Sequence, residues 1–406
     1  MDRRHAMAAM GAGLAAAMLP VAASAAGPHQ PTGYLRTNWG RDPFSLGSYS
    51  YTARGMRADD REVLEAPIGG TVFFAGEAVY PYYNSTVHAA LESGWRTAEM
   101  VARSGAQRVG IIGGGASGLA VAQALTDRGR QVTVFEARDR IGGRIWTDTL
   151  SGRRVDLGAS WIQGTRGNPL SALADEQGLA RVATGETQII RGRGGRIIAP
   201  DDAPAWHDIV TLADHAFGAA ASDVDLAHYD ALDDHDGPEV IFAQGYDGIL
   251  AGLGGAYDLR LSMPVLGVEH GGSGVTLRLQ ADAAAVFDAV IVTVPLGVLK
   301  AGALPFDPVL SPDKRDAIAR IGMGTLDKLY LAFADPFWDA APVWISTIET
   351  GLPQGQFVQW MNLQAVLGVP IVMAFNAADA ARALAGLSDD AVVARGVQAL
   401  NSAYPA

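Results

Sequence analysis

Cysteine is absent from all 406 residues of this chain. Its absence removes thiol nucleophiles, thiolate metal sites, disulfides and any cysteinyl bond to a cofactor. A G-x-S-x-G nucleophile turn is also missing, and the eight histidines show no metal-ligand spacing. Hydrolase and metalloenzyme classes therefore have no footing. Positive charge is scarce: the net charge of −12 argues against a nucleic-acid surface and favours encounter with small cationic molecules. No internal repeat and no long polar low-complexity run occurs. What is present is a chain 49% apolar and 18% charged, long enough for two interleaved domains around a large core.

The first 26 residues have the grammar of an export leader. Arg3 and Arg4 precede an Ala/Met/Leu stretch, and Ala23-Ser24-Ala25 offers a small-residue cleavage site. Gly11, Gly13 and Pro20 weaken a membrane-spanning reading, so no stable anchor is expected after processing. The paired arginines suggest twin-arginine export to a bacterial periplasm, a route suited to a protein that acquires its cofactor before crossing. The acidic run from His228 to Asp236 raises a calcium question, but it lacks the ligand–glycine–Glu spacing of a calcium loop.

The chemistry sits in glycine turns. Residues 108–125, RVGIIGGGASGLAVAQAL, read as a buried strand, a tight turn and a helix. In Gly113-x-Gly115-x-x-Gly118 the first glycine turns the chain and the second admits a pyrophosphate. The third lets helix and strand pack closely. Ala116 and Ser117 open the helix, whose free N–H groups face phosphate. A second strand, 131–135, ends at Glu136, placed for ribose hydroxyls, with Ala137 beside it. A further turn, Arg138 to Arg144 through Gly142-Gly143, adds guanidinium groups suited to phosphate. The stretch Asp156 to Gly164, through Gly158-Ala159-Ser160-Trp161, is rich in small residues that could let backbone approach a flat ring. Strands are also expected at 71–74, 289–294, 328–333 and 371–375, a hairpin over 265–280, and helices with loops across 170–250. Lys328, alone in an apolar strand, is either an exposed edge residue or a buried amine that needs a partner.

These segments resemble the flavin-dependent amine oxidase superfamily: monoamine oxidases, polyamine oxidases and lysine-specific histone demethylases. The matching strings are EARDRIGGRIWT, DLGASWIQG, VTVPLGVLK, GTLDKLYLAF, WGRDPFSLGSYSY and FAGEAVYPYYNSTVHAALESG. The resemblance implies an α/β protein: a Rossmann-like FAD-binding domain (31–107, 108–170 and 245–300) with an α+β substrate domain (171–244 and 301–406). It implies that Glu136 binds the adenosine ribose, that Arg138 and Arg144 lie along the cofactor, and that Val268 holds the adenine edge. Gly76 and Glu77 would meet the ribitol–phosphate region, and Thr86 and Val87 the flavin pyrimidine. Lys328 would hold a water near flavin N5. Tyr49 would form one aromatic wall, with Thr86 where relatives place the second. Gln163 stands where many relatives have His or an acidic residue, and Ala89 where a glycine is usual. Trp39 and Phe44 are equally readable as site or core residues. Ser48 occupies the position of the flavin-linked cysteine in monoamine oxidases, so FAD is expected to be held non-covalently. The implied partners are a small-molecule amine and O2.

The order of the motifs is unusual. The segments that should end such a protein, 34–57 and 71–95, precede the glycine turn. Only Arg103 to Gln107 join them to it, a link reaching at most ~17 Å. A circular permutation is therefore expected, with Ala406 and the region near Pro31 close in space. Competing readings are a flavin desaturase or porphyrinogen-oxidase-like enzyme, and a flavin-binding protein without turnover.

Overall fold

The computed structural model describes residues 28–225, 235–272 and 274–406. The leader and the calcium question at 228–234 lie outside them. Among the described residues no helix is long and apolar enough to cross a membrane.

Two sheets organise the molecule. The first has five strands in the order Asp258–Arg260, Gln131–Phe135, Arg108–Ile112, Ala289–Val292, Val72–Phe74, and every adjacent pair is parallel. Its strands read as near-continuous apolar runs because both faces are covered, as parallel sheets require. Val109, Ile111 and Ile291 pack beneath the helices Val87–Ser104 and Ala116–Thr126, against Ala98, Val101 and Val121. Ile112, Val290 and Val292 face the opposite way, toward Val268, Leu277 and Phe287 of a four-stranded sheet. The expected hairpin is in that sheet, Gly267–Glu269 pairing antiparallel with Val275–Arg278.

The second sheet has seven strands in the order Gly33–Arg36, Leu326–Ala332, Ile371–Ala377, Gln359–Asn362, Trp344–Thr347, Gln188–Arg191, Ile197–Ile198. The side-chain alternation along Leu326–Ala332 is decisive for the site. Leu329 and Leu331 point to the helix Asp389–Ala403, packing with Val393, Val397 and Leu400. Lys328 and Tyr330 therefore point to the other face. This strand is flanked on both sides by antiparallel partners, so the exposed-edge reading of Lys328 fails.

The expectation of helices with loops over 170–250 needs correction. Pro169–Glu176 is helical, but Arg181–Ala183, Gln188–Arg191 and Val240–Phe242 are strands. They are three or four residues long, too short to show a period against an Ala-rich background. Between them, Ile209–Asp214 forms a π-helical stretch leading into His215–Phe217.

The front segment is knitted into both sheets. Thr37 Oγ1 and the Trp39 N–H donate to Asp327 Oδ1 at 3.0 and 2.7 Å. Asp60 pairs with Arg320, and Lys314 Nζ donates to the carbonyls of Val63, Leu64 and Ala66 that end a helix. His29 N–H donates to Asn401 Oδ1 at 3.2 Å, and its ring stacks on Phe337.

Candidate active site

The loops at the carboxyl ends of the parallel strands open into one continuous cleft of 2490 Å³. Ligand sites of about 300–1,000 Å³ suffice for drug-sized molecules, so this cleft has room for a dinucleotide and a substrate together. Gly76 and Glu77 follow one strand, Gly113 the next, Glu136 a third and Thr293 a fourth, and all line the cleft. That is where open α/β sheets place ligands.

The glycine turn is built for close approach. A Cβ on Gly118 would lie 2.0 Å from the Gly113 carbonyl oxygen, so only glycine lets the helix seat on the strand. A Cβ on Gly115 would meet only the Gly142 carbonyl, at 3.9 Å, and would project into the cleft. Gly115 is also the N-cap of its helix and offers no side-chain partner, leaving the first N–H groups to face the cleft. The buried Ser117 hydroxyl has no partner among the described residues. An open backbone cradle, a helix N-terminus and an orphaned hydroxyl suit a pyrophosphate.

Glu136 is oriented by the turns around it. Oε2 accepts from the Gly114 N–H at 2.7 Å and Oε1 from the Arg138 N–H at 2.8 Å. Its remaining lone pairs are suited to ribose hydroxyls. Ala137, Gly143, Gly158, Ala159, Ser160 and Trp161 also line the cleft. Arg138 and Arg144 line it too, but their charges are matched within the protein. Arg138 forms a fork to Asp42 at 2.9 and 2.7 Å and reaches Ser45, with Phe44 beneath its guanidinium. Arg144 donates to Glu77 Oε1 and to the Ser48 carbonyl, both at 2.8 Å. Glu77 also accepts from Ser50 and from the Ser85 N–H. Although burial alone would raise it, the Arg144 charge and these bonds hold its carboxyl below the usual value. Both arginines thus clasp the front segment to the glycine turns.

Val268 must be corrected. It is fully buried among Val275, Leu277 and Phe306, and its N–H donates to the Pro305 carbonyl. Val265, three residues earlier and just before the strand, lines the cleft instead. The signal was the Met263-Pro264-Val265 approach, which falls where the strand has not yet begun to pair.

Ser85, at φ 74°, turns the chain in the left-handed region and delivers Thr86 as the N-cap of Val87–Ser104. Thr86 accepts from the Ala89 N–H at 3.1 Å and donates to the Tyr83 carbonyl at 2.6 Å. Its hydroxyl is thereby committed to capping, and no second aromatic wall stands at this position. Thr86, Val87 and Gly115 share the cleft, and Gly94 lets the two helices close on each other, since a Cβ there would lie 2.6 Å from the Ser117 carbonyl.

Farther along, Lys328 Nζ donates to the carbonyls of Asp156 and Gly158, at 2.8 and 2.6 Å, and to Ser160 Oγ. Burial pushes its amine down to about 7, with the nearby Asp156 opposing. Its head lies 5.5 Å from the Trp161 ring. Tyr49 donates from its hydroxyl to the His215 carbonyl at 2.6 Å, and burial drives its phenol upward. Ser48 Oγ bonds both the N–H and the carbonyl of Leu326. Gln163 is exposed at the rim. Trp39 and Phe44 both line the cleft, although Trp39 is otherwise buried. Sequence reasoning missed His215, Trp344, Gln359 and Phe375, which complete this end. Nothing local in the chain marks them.

Comparison with known proteins gives the family. The model of the family "flavin containing amine oxidoreductase" matches residues 13–102, 116–197 and 190–406. The chain belongs to that family. It is 29% identical over 343 residues to Polyamine oxidase 4 of Oryza sativa subsp. japonica, covering 70% of each chain. It is also 29% identical over 342 residues to a probable polyamine oxidase 4 of Arabidopsis thaliana, covering 69% of this chain and 68% of that one. A 29% match over 287 residues to Lysine-specific histone demethylase 2 of Homo sapiens covers 57% of this chain and 35% of that protein. A flavin is therefore the cofactor of this family member, and amines are its substrate class.

Proposed function

We propose that this protein is an FAD-dependent amine oxidase that holds its cofactor non-covalently, uses O2 as acceptor and releases hydrogen peroxide. The observation that carries it is convergence: the front segment brings Glu77, Thr86 and Tyr49, and the middle segment brings Gly115 and Glu136, to one cleft against Lys328. A flavin held in this cleft would supply the two-electron acceptor for oxidation of the carbon next to the amine nitrogen, with O2 as the final acceptor.

This chain's residues supply position and electrostatics. Two helix N-termini, at Ala116 and Val87, point positive ends into the cleft, one suited to the pyrophosphate and one to negative charge on the pyrimidine. Glu136 holds the ribose. Lys328 is anchored over the Asp156–Ser160 loop, where an amine of lowered basicity can take or release a proton near neutral pH. Tyr49, Trp161, Trp344 and Phe375 keep water from the substrate and favour its neutral amine. The oxidised product then hydrolyses in water to an aldehyde and ammonia or a smaller amine. Ser48, committed to backbone bonds in a chain without cysteine, supports non-covalent binding.

An amine panel with peroxide detection tests this reading, repeated on Lys328→Met. Turnover with at least one amine and its loss in the variant is expected; a yellow protein that no amine bleaches under anaerobic conditions would refute it. The permuted order is part of the proposal, supported by the pairing of Val72–Phe74 with Ala289–Val292 and by the His29–Asn401 bonds. A chain relinked from 406 to 28 and opened at Gly105 should still bind flavin. Export of the protein is proposed from residues 1–26, and cell fractionation checks it.

A further inference from the structure

His215 is a buried residue of the amine end. Its side chain lines the cleft and is 8% exposed. Nδ1 lies 2.9 Å from Gln359 Oε1, an atom that can only accept, so Nδ1 carries the hydrogen. Nε2 is then a bare lone pair, and it has no partner among the described residues. A buried acceptor without a donor costs roughly 1–3 kcal/mol, so it calls for a ligand.

The surroundings say what kind of donor belongs there. Burial holds the ring neutral, pushing it down to about 4, with the Gln359 bond opposing. A neutral acceptor does not repel an approaching amine. The Phe375 ring is 5.5 Å away and forms a cluster with Trp161 and Trp344 at 5.9 and 6.2 Å, all lining the cleft. The π-helical stretch Ile209–Asp214 sets the rotation at which His215 enters, and the Tyr49 hydroxyl on the His215 carbonyl fixes the backbone.

We propose that His215 Nε2 accepts a hydrogen bond from the substrate's nitrogen. The site thereby selects primary or secondary amines whose carbon side rests on the Trp161–Trp344–Phe375 rings. This rests on the amine-oxidase reading and goes further by naming the residue that recognises the N–H. His215 acts as a positioning residue, with Gln359 setting its tautomer.

The test uses the flavin-loaded enzyme and α,α-dimethylbenzylamine, a primary amine with no hydrogen on its α-carbon, which binds without reacting. Its N,N-dimethyl analogue has no N–H when neutral. Dissociation constants are read from the flavin spectrum and from the rise in melting temperature. His215→Leu should weaken the primary amine roughly tenfold and leave the tertiary amine within twofold. Gln359→Leu, which frees the tautomer without touching His215, should weaken the primary amine by a smaller factor. Equal weakening of both amines, or of neither, would overturn the proposal. If the blocked amine shows this pattern while no oxidisable amine bleaches the flavin, the oxidase reading fails and the His215 assignment stands.

Discussion

At the pyrophosphate end of the cleft, position is set by backbone; at the amine end, it is set by side chains from distant segments. Gly113, Gly115 and Gly118 act through what they lack, within six consecutive residues. Tyr49, Trp161, His215, Lys328, Trp344, Gln359 and Phe375 act through what they carry, and they come from seven separate places in the chain. The first end is therefore rigid and intolerant, because a single methyl group collides with a carbonyl. The second should accept substitution with graded changes in what binds.

Gly118→Ala should abolish flavin binding or folding, since its Cβ meets the Gly113 carbonyl at 2.0 Å; flavin content of the purified protein reads it, and a fully yellow variant would refute the packing argument. Glu77→Gln leaves Arg144 without its charge partner and should lower unfolding stability by about 3 kcal/mol. Denaturant midpoints would show it, and an unchanged midpoint would mean that the clasp is not needed. Lys328→Met should keep its flavin yet slow anaerobic reduction about 100-fold, equivalent to about 2.7 kcal/mol. The wild type's rate should also carry a pH limb near 7 that the variant lacks. Ser117→Ala should weaken flavin several-fold, about 1 kcal/mol, measured by equilibrium dialysis.

A further effect is on pH stability. Burial holds His88 and His215 at about 4, below the usual 6.5. The unfolded chain takes up protons near pH 6.5 while the native chain resists until about 4. Between those values the unfolded state binds more protons, so stability falls as pH drops through that window and is unaffected by these groups above it. His88→Phe should flatten that slope in melting curves taken from pH 7 downward, and an unchanged slope would reject the assignment.

The same contrast explains what could be read in advance. The strand–turn–helix around Gly115 was legible because its signals are local: glycines at fixed offsets between an apolar run and a helical one. The buried place of Lys328 was not, because edge and centre strands share one pattern until their neighbours are known. Val268 was misplaced against Val265 for a related reason: an apolar run does not show which of its valines pairs in a sheet and which faces a cleft. The strands within 170–250 are too short to declare a period. His215 and Gln359 are 144 residues apart and carry no mark of each other.

The antiparallel pairing of Gly33–Arg36 with Leu326–Ala332 has a consequence for synthesis. Thr32 bonds to Ala332, 300 residues later. During translation the front segment emerges with its edge unsatisfied and must wait for most of the polypeptide before either sheet closes around it. Such high contact order implies slow maturation and prolonged exposure of β edges, so chaperone holding is expected to govern the yield of soluble protein.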